Sequence, residues 1–181
     1  MGASASGKST LENQLLESDD VCRIISTTTR DMRSGEVADV NYHFITFREF
    51  IELDNDDQFI QTTSFANNFY GTTKSEYTSS HPIAVFSITP NSAVSFLPVL
   101  REAFPEFDIK LVFFNISQSQ LRENMLARGD GEAAIALRVT HDDLNEQFMK
   151  SGLVADFIIR DNDLSDSLAV NVREQLNLNG K

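Results

Sequence analysis

Gly2-Ala3-Ser4-Ala5-Ser6-Gly7-Lys8-Ser9 matches the pattern G-x-x-x-x-G-K-[ST] in full. Glycines let the backbone curl until successive N–H groups point at one phosphate group. A helix starting near Lys8 adds its positive end to the same place. Lys8 is then the group that reaches the β- and γ-phosphates, and the Ser9 hydroxyl is the expected ligand for Mg2+. With Thr10 added, residues 2–10 form the expected ATP site, and the chemistry is phosphoryl transfer. A loop of this kind follows a buried strand. Only Met1 precedes Gly2 in this sequence, so the first strand is expected to be missing or truncated.

The elements that must hold this loop are readable from hydrophobic period and turn residues. Residues 7–17 predict a helix with Leu11, Leu15 and Leu16 on one side, and residues 21–27 a strand. A turn-rich stretch, 28–41, leads to a short strand at 42–45. Thr46 and Glu49 have capping-box spacing, opening a helix that buries Phe47, Phe50 and Ile51. A strand at 59–63 ends in a turn at Asn67-Asn68. Residues 83–88 are almost continuously apolar, as in a strand covered on both faces. Then come a helix at 92–103, a buried strand at 109–116, helices at 118–128 and 132–150, a strand at 157–159 and a helix at 165–176. Strand–helix alternation from about residue 83 implies an α/β fold, a parallel sheet flanked by helices. Residues 30–80 have a different texture and read as an inserted α+β lobe.

That lobe contains the second constellation. Arg30 and Arg33 lie three apart in an otherwise acidic chain, suited to clamping a phosphate monoester by charge-assisted hydrogen bonds. Tyr42 and Tyr70 each offer a phenolic O–H. The runs Thr27-Thr28-Thr29-Arg30-Asp31-Met32-Arg33-Ser34-Gly35-Glu36-Val37, Asn41-Tyr42-His43-Phe44 and Asn68-Phe69-Tyr70-Gly71-Thr72 together resemble the guanylate kinase family. The resemblance runs from Gly2 to about Leu164 and keeps the motif order. It implies a P-loop nucleoside monophosphate kinase: a single domain over 1–181, with a core at 1–29, 81–127 and 139–181, a monophosphate-binding lobe at 30–80 and a helical lid at 128–138. It implies that Arg30, Arg33, Tyr42 and Tyr70 hold the acceptor's 5′-phosphate, that Ser26, Gln61, Gly71 and Thr72 line the base site, and that Arg128 and Arg138 close over the γ-phosphate. ATP, a nucleoside monophosphate and Mg2+ are the implied partners and cofactor.

The sequence departs from that family at carboxylates. Gln61 stands where the family places a glutamate, and Phe86-Ser87-Ile88-Thr89 replaces a strand end with two aspartates. Ser87 and Thr89 are therefore carried as neutral acceptor-site positions. Losing a charge-assisted contact to a base weakens selection for guanine, so the acceptor is expected to be GMP, dGMP or a monophosphate with another base. A ribose 1,5-bisphosphate phosphokinase-like enzyme and a non-catalytic guanylate-kinase-like module that binds a protein remain alternatives.

Composition narrows the rest. A formal charge of −12 with only 15 Lys and Arg argues against a nucleic-acid polymer as partner. No apolar run approaches the roughly 18–20 residues of a membrane span, and a cytoplasmic monomer or homodimer is expected. Cys22 is the only cysteine and reads as a buried thiol. His43, His81 and His141 lack metal-ligand spacing, and Glu52, Asp54, Asp56 and Asp57 read as a solvated helix end.

Overall fold

Local signals place most of the elements. Helix α1 (Lys8–Leu15) starts directly after Gly7 and buries Leu11 and Leu15. Strands β1 (Val21–Arg23), β2 (Thr27–Thr28) and β3 (His43–Phe44) follow. Helix α2 (Phe47–Asn55) opens on the capping box: the Glu49 N–H donates to Thr46 Oγ1 at 3.2 Å, and the Thr46 N–H donates to the Glu49 carboxylate at 2.7 Å. Then come β4 (Phe59–Phe65), β5 (Asn68–Thr73), β6 (Ile83–Val85), α3 (Pro90–Ala103), β7 (Val112–Phe114), α4 (Gln118–Ala127), α5 (Leu144–Ser151), β8 (Phe157–Ile159) and α6 (Leu168–Gln175). These assignments come from a computed structural model, which describes residues 1–65, 67–78, 81–132, 135 and 144–178. The chain divides into two units, one of residues 1–18, 87–97 and 106–181, the other of 19–86 and 98–105. Helix α3 passes from the first to the second between Leu97 and Pro98, where proline lacks the N–H that would bond back to Val94.

In the first unit β7 is the organising strand. It pairs in parallel with β8, Val112 opposite Phe157 and Phe114 opposite Ile159. On its other edge the Met1 amine donates to the Val112 carbonyl at 2.8 Å and the Phe114 N–H to the Met1 carbonyl at 2.9 Å. The strand expected to be missing before the loop is thus represented by one parallel bridge, Gly2 to Phe114. Around β7 a core of Met1, Ala93, Leu97, Leu111, Phe113 and Phe148 closes, with the Phe113 and Phe148 rings stacked at 4.0 Å. Helix α1 packs on α6, tied by the Ala169 N–H to Gln14 Oε1 at 3.2 Å.

The second unit holds a four-stranded sheet in the order β3-β2-β5-β4. β2 runs parallel to β3 and antiparallel to β5, and β4–β5 is an antiparallel hairpin. Gly71 is obligatory in it, since a Cβ there would lie 2.8 Å from the Phe59 ring. Phe50 of α2 covers the sheet, stacked on Phe59 at 4.5 Å and beside Phe69 at 5.6 Å. A separate parallel pair joins β1 to β6. The α/β class therefore holds, with the core strands present as parallel pairs.

Three expectations of burial are corrected. Phe47 is 55% exposed: it is the first residue of α2, at the edge of the stripe centred on Phe50, and only its ring face meets Phe69. Cys22 is half-buried. Strand β6 is shorter than 83–88 and Ala84 is exposed, so the apolar run is not covered on both faces. The predicted helix 132–150 appears as α5; residues 133–134 and 136–143 lie outside the described residues.

Replacing Phe50, 1% exposed, by alanine should cost about 3–5 kcal/mol. Phe47→Ala should cost less than about 1.5 kcal/mol, the scale of a single ring contact. Urea unfolding of both variants checks this; equal losses would contradict the packing described.

Candidate active site

The loop of the first unit is built by backbone conformation. Gly2 and Gly7 have φ of 150° and 98°, and Ala5 also adopts a positive φ of 62°. A Cβ on Gly2 would sit 2.7 Å from the Phe114 Cβ, so the loop can approach β7 this closely only with glycine there. Ser6 is fully buried and its N–H donates to the Ala3 carbonyl at 3.3 Å. Gly7, the residue before α1, makes no side-chain cap, and the first turn of α1 contains no acidic residue. The positive helix end is therefore left for an anion. Lys8 Nζ curls back over the loop, donating to the Ala3 carbonyl at 2.5 Å and to Ser6 Oγ at 3.5 Å. Ser4 and Ala5 are half-buried, Ser9 and Thr10 exposed. Ala3, Ser6 and Lys8 are thus tied together within the loop that precedes and opens α1.

Asn124 was not legible as a partner of this loop. Its Nδ2 donates to the Ala5 carbonyl at 2.8 Å, while Gln120 Nε2 donates to its Oδ1 at 3.0 Å. The two residues are one turn apart on α4, a spacing too common in helices to signal a role. Arg128 caps the C-terminus of the same helix, where its guanidinium donates to the Asp130 carboxylate. Arg138 lies outside the described residues. Arg122 is paired with Glu132 at 2.7 Å.

In the second unit the sheet gathers the other constellation. Thr28 and Tyr70 are opposite each other, as are Thr27 and Gly71. Thr28 Oγ1 donates to the Phe69 carbonyl at 3.0 Å and accepts the Arg30 N–H at 3.2 Å, which fixes where Arg30 leaves the strand. Its guanidinium makes a two-pronged contact with Glu36, at 2.8 and 3.0 Å, and lies 5.4 Å from the Tyr42 ring centroid and 5.6 Å from that of Phe44. The Glu36 hydrogen bond raises the Arg30 pKa further, helped by Tyr70. Glu36 is held below the usual carboxylate range by Arg30 first and by the Arg33 backbone N–H second. Burial pushes the Tyr42 phenol up, so it stays protonated and able to donate. The Tyr42 and Tyr70 rings meet edge to face at 6.3 Å.

Beside them, Ser26 Oγ and Thr72 Oγ1 are 3.2 Å apart, and Gln61 is opposite Thr72 across the β4–β5 ladder. Ser26, Gln61, Gly71 and Thr72 are therefore one cluster. Arg33 is exposed, joined to Arg30 through its backbone N–H, which donates to Glu36 at 2.7 Å. Ser87 and Thr89 belong to the other unit. Ser87 Oγ donates to the Glu12 carboxylate of α1, and Thr89 Oγ1 accepts the Ser92 N–H at 3.3 Å, capping α3.

With both constellations placed, the chain can be set against known proteins. The family model described as guanylate kinase matches residues 1–177. The chain belongs to the guanylate kinase family. It is accordingly an enzyme, a nucleotide-binding transferase of the nucleoside monophosphate kinase type. It is 32% identical to the guanylate kinase of Wolinella succinogenes over 171 residues, 92% of this chain and 76% of that protein. The guanylate kinase of Oceanobacillus iheyensis is 33% identical over 149 residues, 80% and 70% of the two chains. The crystal structure of guanylate kinase from Anaplasma phagocytophilum superposes with a TM-score of 0.60 over 98% of this chain and 82% of that one, at 23% identity, which speaks for a shared fold.

In this guanylate kinase family member, His43 lies between Tyr42 and Phe44 and joins two carboxylates. Nδ1 is 2.7 Å from Asp39 and Nε2 is 3.1 Å from Glu76. The other Glu76 oxygen accepts the Ile25 N–H at 2.8 Å, next to Ser26. The sequence shows of His43 only that it lacks metal-ligand spacing; its partners lie four and thirty-three residues away. Burial pulls its pKa down, but the Asp39 and Glu76 bonds outweigh that and the net shift is upward from 6.5. A neutral imidazole has one N–H and serves one carboxylate only. The stability this gives is complete below the unfolded pKa and is lost as pH rises through the raised folded value. Melting temperature measured between about pH 5.5 and 8.5 should show a downward component in wild type that His43→Gln lacks; an identical profile in the variant would contradict the bridge.

Among the described residues no group of three or more His, Cys, Asp or Glu side chains forms a metal cluster, and no helix is long and apolar enough to cross a membrane.

Proposed function

We propose that this enzyme transfers the γ-phosphoryl group of MgATP to GMP or dGMP, with weakened selection for guanine, giving the nucleoside diphosphate. The observation that carries the reading is the single sheet holding Arg30, Tyr42 and Tyr70 next to Ser26, Gln61 and Thr72. One end of that surface suits a phosphate monoester and the other a flat polar base. We propose residues 30–80 as the acceptor lobe and 128–138, with Arg128 and Arg138, as the lid.

Each part has a chemical task. The N–H groups of residues 2–10 and the start of α1 receive the β-phosphate, and Lys8 swings from the Ala3 carbonyl to the β- and γ-oxygens. Arg30, already oriented by Glu36, and the two phenols hold the acceptor phosphate. Arg33 adds charge from the same loop. Transfer passes through a loose transition state with charge on the equatorial oxygens, so catalysis is positioning plus charge stabilisation, with no covalent intermediate. The exposed Ser9 hydroxyl in the first turn of α1 is a hard oxygen donor of the kind Mg2+ takes. Ser9 would hold the ion, which when bound neutralises charge on the β- and γ-oxygens.

The base site supports the weakened selection. Gln61 can accept one hydrogen bond and donate another, and Ser26 and Thr72 are hydroxyls. Without a carboxylate, the paired N–H donors of guanine lose a charge-assisted acceptor.

The test is an initial-rate panel with MgATP against GMP, dGMP, the other common monophosphates and ribose 1,5-bisphosphate. GMP should be turned over with reduced preference over other bases, and Gln61→Glu should raise the preference for GMP about tenfold. Lys8→Ala should lower kcat about 10²–10³-fold. Turnover of ribose 1,5-bisphosphate alone, or of no acceptor, would overturn the proposal.

A further inference from the structure

We infer that Glu12 of α1 supplies the carboxylate on the cation side of the phosphate loop, in place of the acidic group that the end of β6 does not carry. The inference rests on the proposed reading of residues 2–10 as the MgATP site. P-loop enzymes hold their cation between the loop hydroxyl and an acidic side chain. Here the hydroxyl is Ser9, while the chain leaving β6 reads Phe86-Ser87-Ile88-Thr89. Ser87 Oγ instead donates to the Glu12 carboxylate, and Thr89 is occupied in capping α3. The carboxylate at Ser87 is thus supplied by α1.

Two further facts favour Glu12 for this task. Glu12 follows Ser9 by three residues on one helix, so the two side chains are surface neighbours. Glu12 is half-buried rather than free in solvent. Ser87 uses its hydrogen on one Glu12 oxygen, so the hydroxyl orients the carboxylate as an outer partner orients a ligand.

A purely structural bond to Ser87 would survive Glu12→Gln, because the amide oxygen still accepts the Ser87 proton. The charge would not survive. The experiment measures binding of a fluorescent non-hydrolysable ATP analogue to the full chain, without metal and across a Mg2+ titration, with Mn2+ paramagnetic resonance as a direct count of bound cation. In Glu12→Gln the half-saturating Mg2+ concentration should rise about 10–100-fold, while metal-free nucleotide affinity is unchanged or tighter. Adding Ser87→Asp to Glu12→Gln should restore metal affinity by returning a carboxylate to the strand end. An unchanged Mg2+ requirement in Glu12→Gln, or a loss that is equal with and without metal, overturns the assignment and leaves the kinase reading standing. No binding of the analogue by wild type overturns the kinase reading itself, and this inference with it.

Discussion

A phosphate group approaching a chain of net charge −12 is repelled by most of the surface, so its charge must be met by a few donors already fixed in place. The structure answers with backbone before side chains. The Gly2–Gly7 turn is possible because Gly2 lies against Phe114 where no Cβ fits. Helix α1 begins at the end of that turn and presents N–H groups that the residue before it does not cap. Partial charges on fixed amides need no reorganisation when the ligand arrives and survive in an acidic protein.

The cations follow the same logic. Lys8 is parked on the Ala3 carbonyl, Arg30 on Glu36 and Arg128 on Asp130. Arg30, largely buried in its pair with Glu36, is thereby ordered in advance, which would reduce the entropy lost on binding a phosphate. The carboxylates that hold these arginines account for part of the acidity that seemed unfavourable to phosphate binding. The most ordered of them, Arg30, also lies over two aromatic rings, a setting suited to a guanidinium and not to a lysine.

The loop, the capping box at Thr46, the Thr27–Arg30 run and the α/β alternation were legible because each is a local pattern of a few residues with one physical meaning. The burial of Phe50 followed from the helical period. What stayed hidden depends on partners far apart in sequence. Asn124 under Ala5, Glu12 on Ser87, and His43 between Asp39 and Glu76 are ordinary polar residues until the fold brings them together. Burial of Phe47 was misread because periodicity gives the stripe and not its edges. The strand before the loop was expected to be missing or truncated because only Met1 precedes Gly2, and a single parallel bridge, Gly2 to Phe114, stands in its place.

The central claim is that donor and acceptor phosphates are held by these two preformed sets of donors. It is tested most directly by a crystal structure with a bisubstrate analogue, adenosine joined to guanosine through a five-phosphate chain, in the presence of Mg2+. The account predicts phosphate oxygens within hydrogen-bond distance of the backbone N–H groups of residues 2–10 at one end and of Arg30, Tyr42 and Tyr70 at the other. An analogue bound with its phosphates away from either set would contradict it.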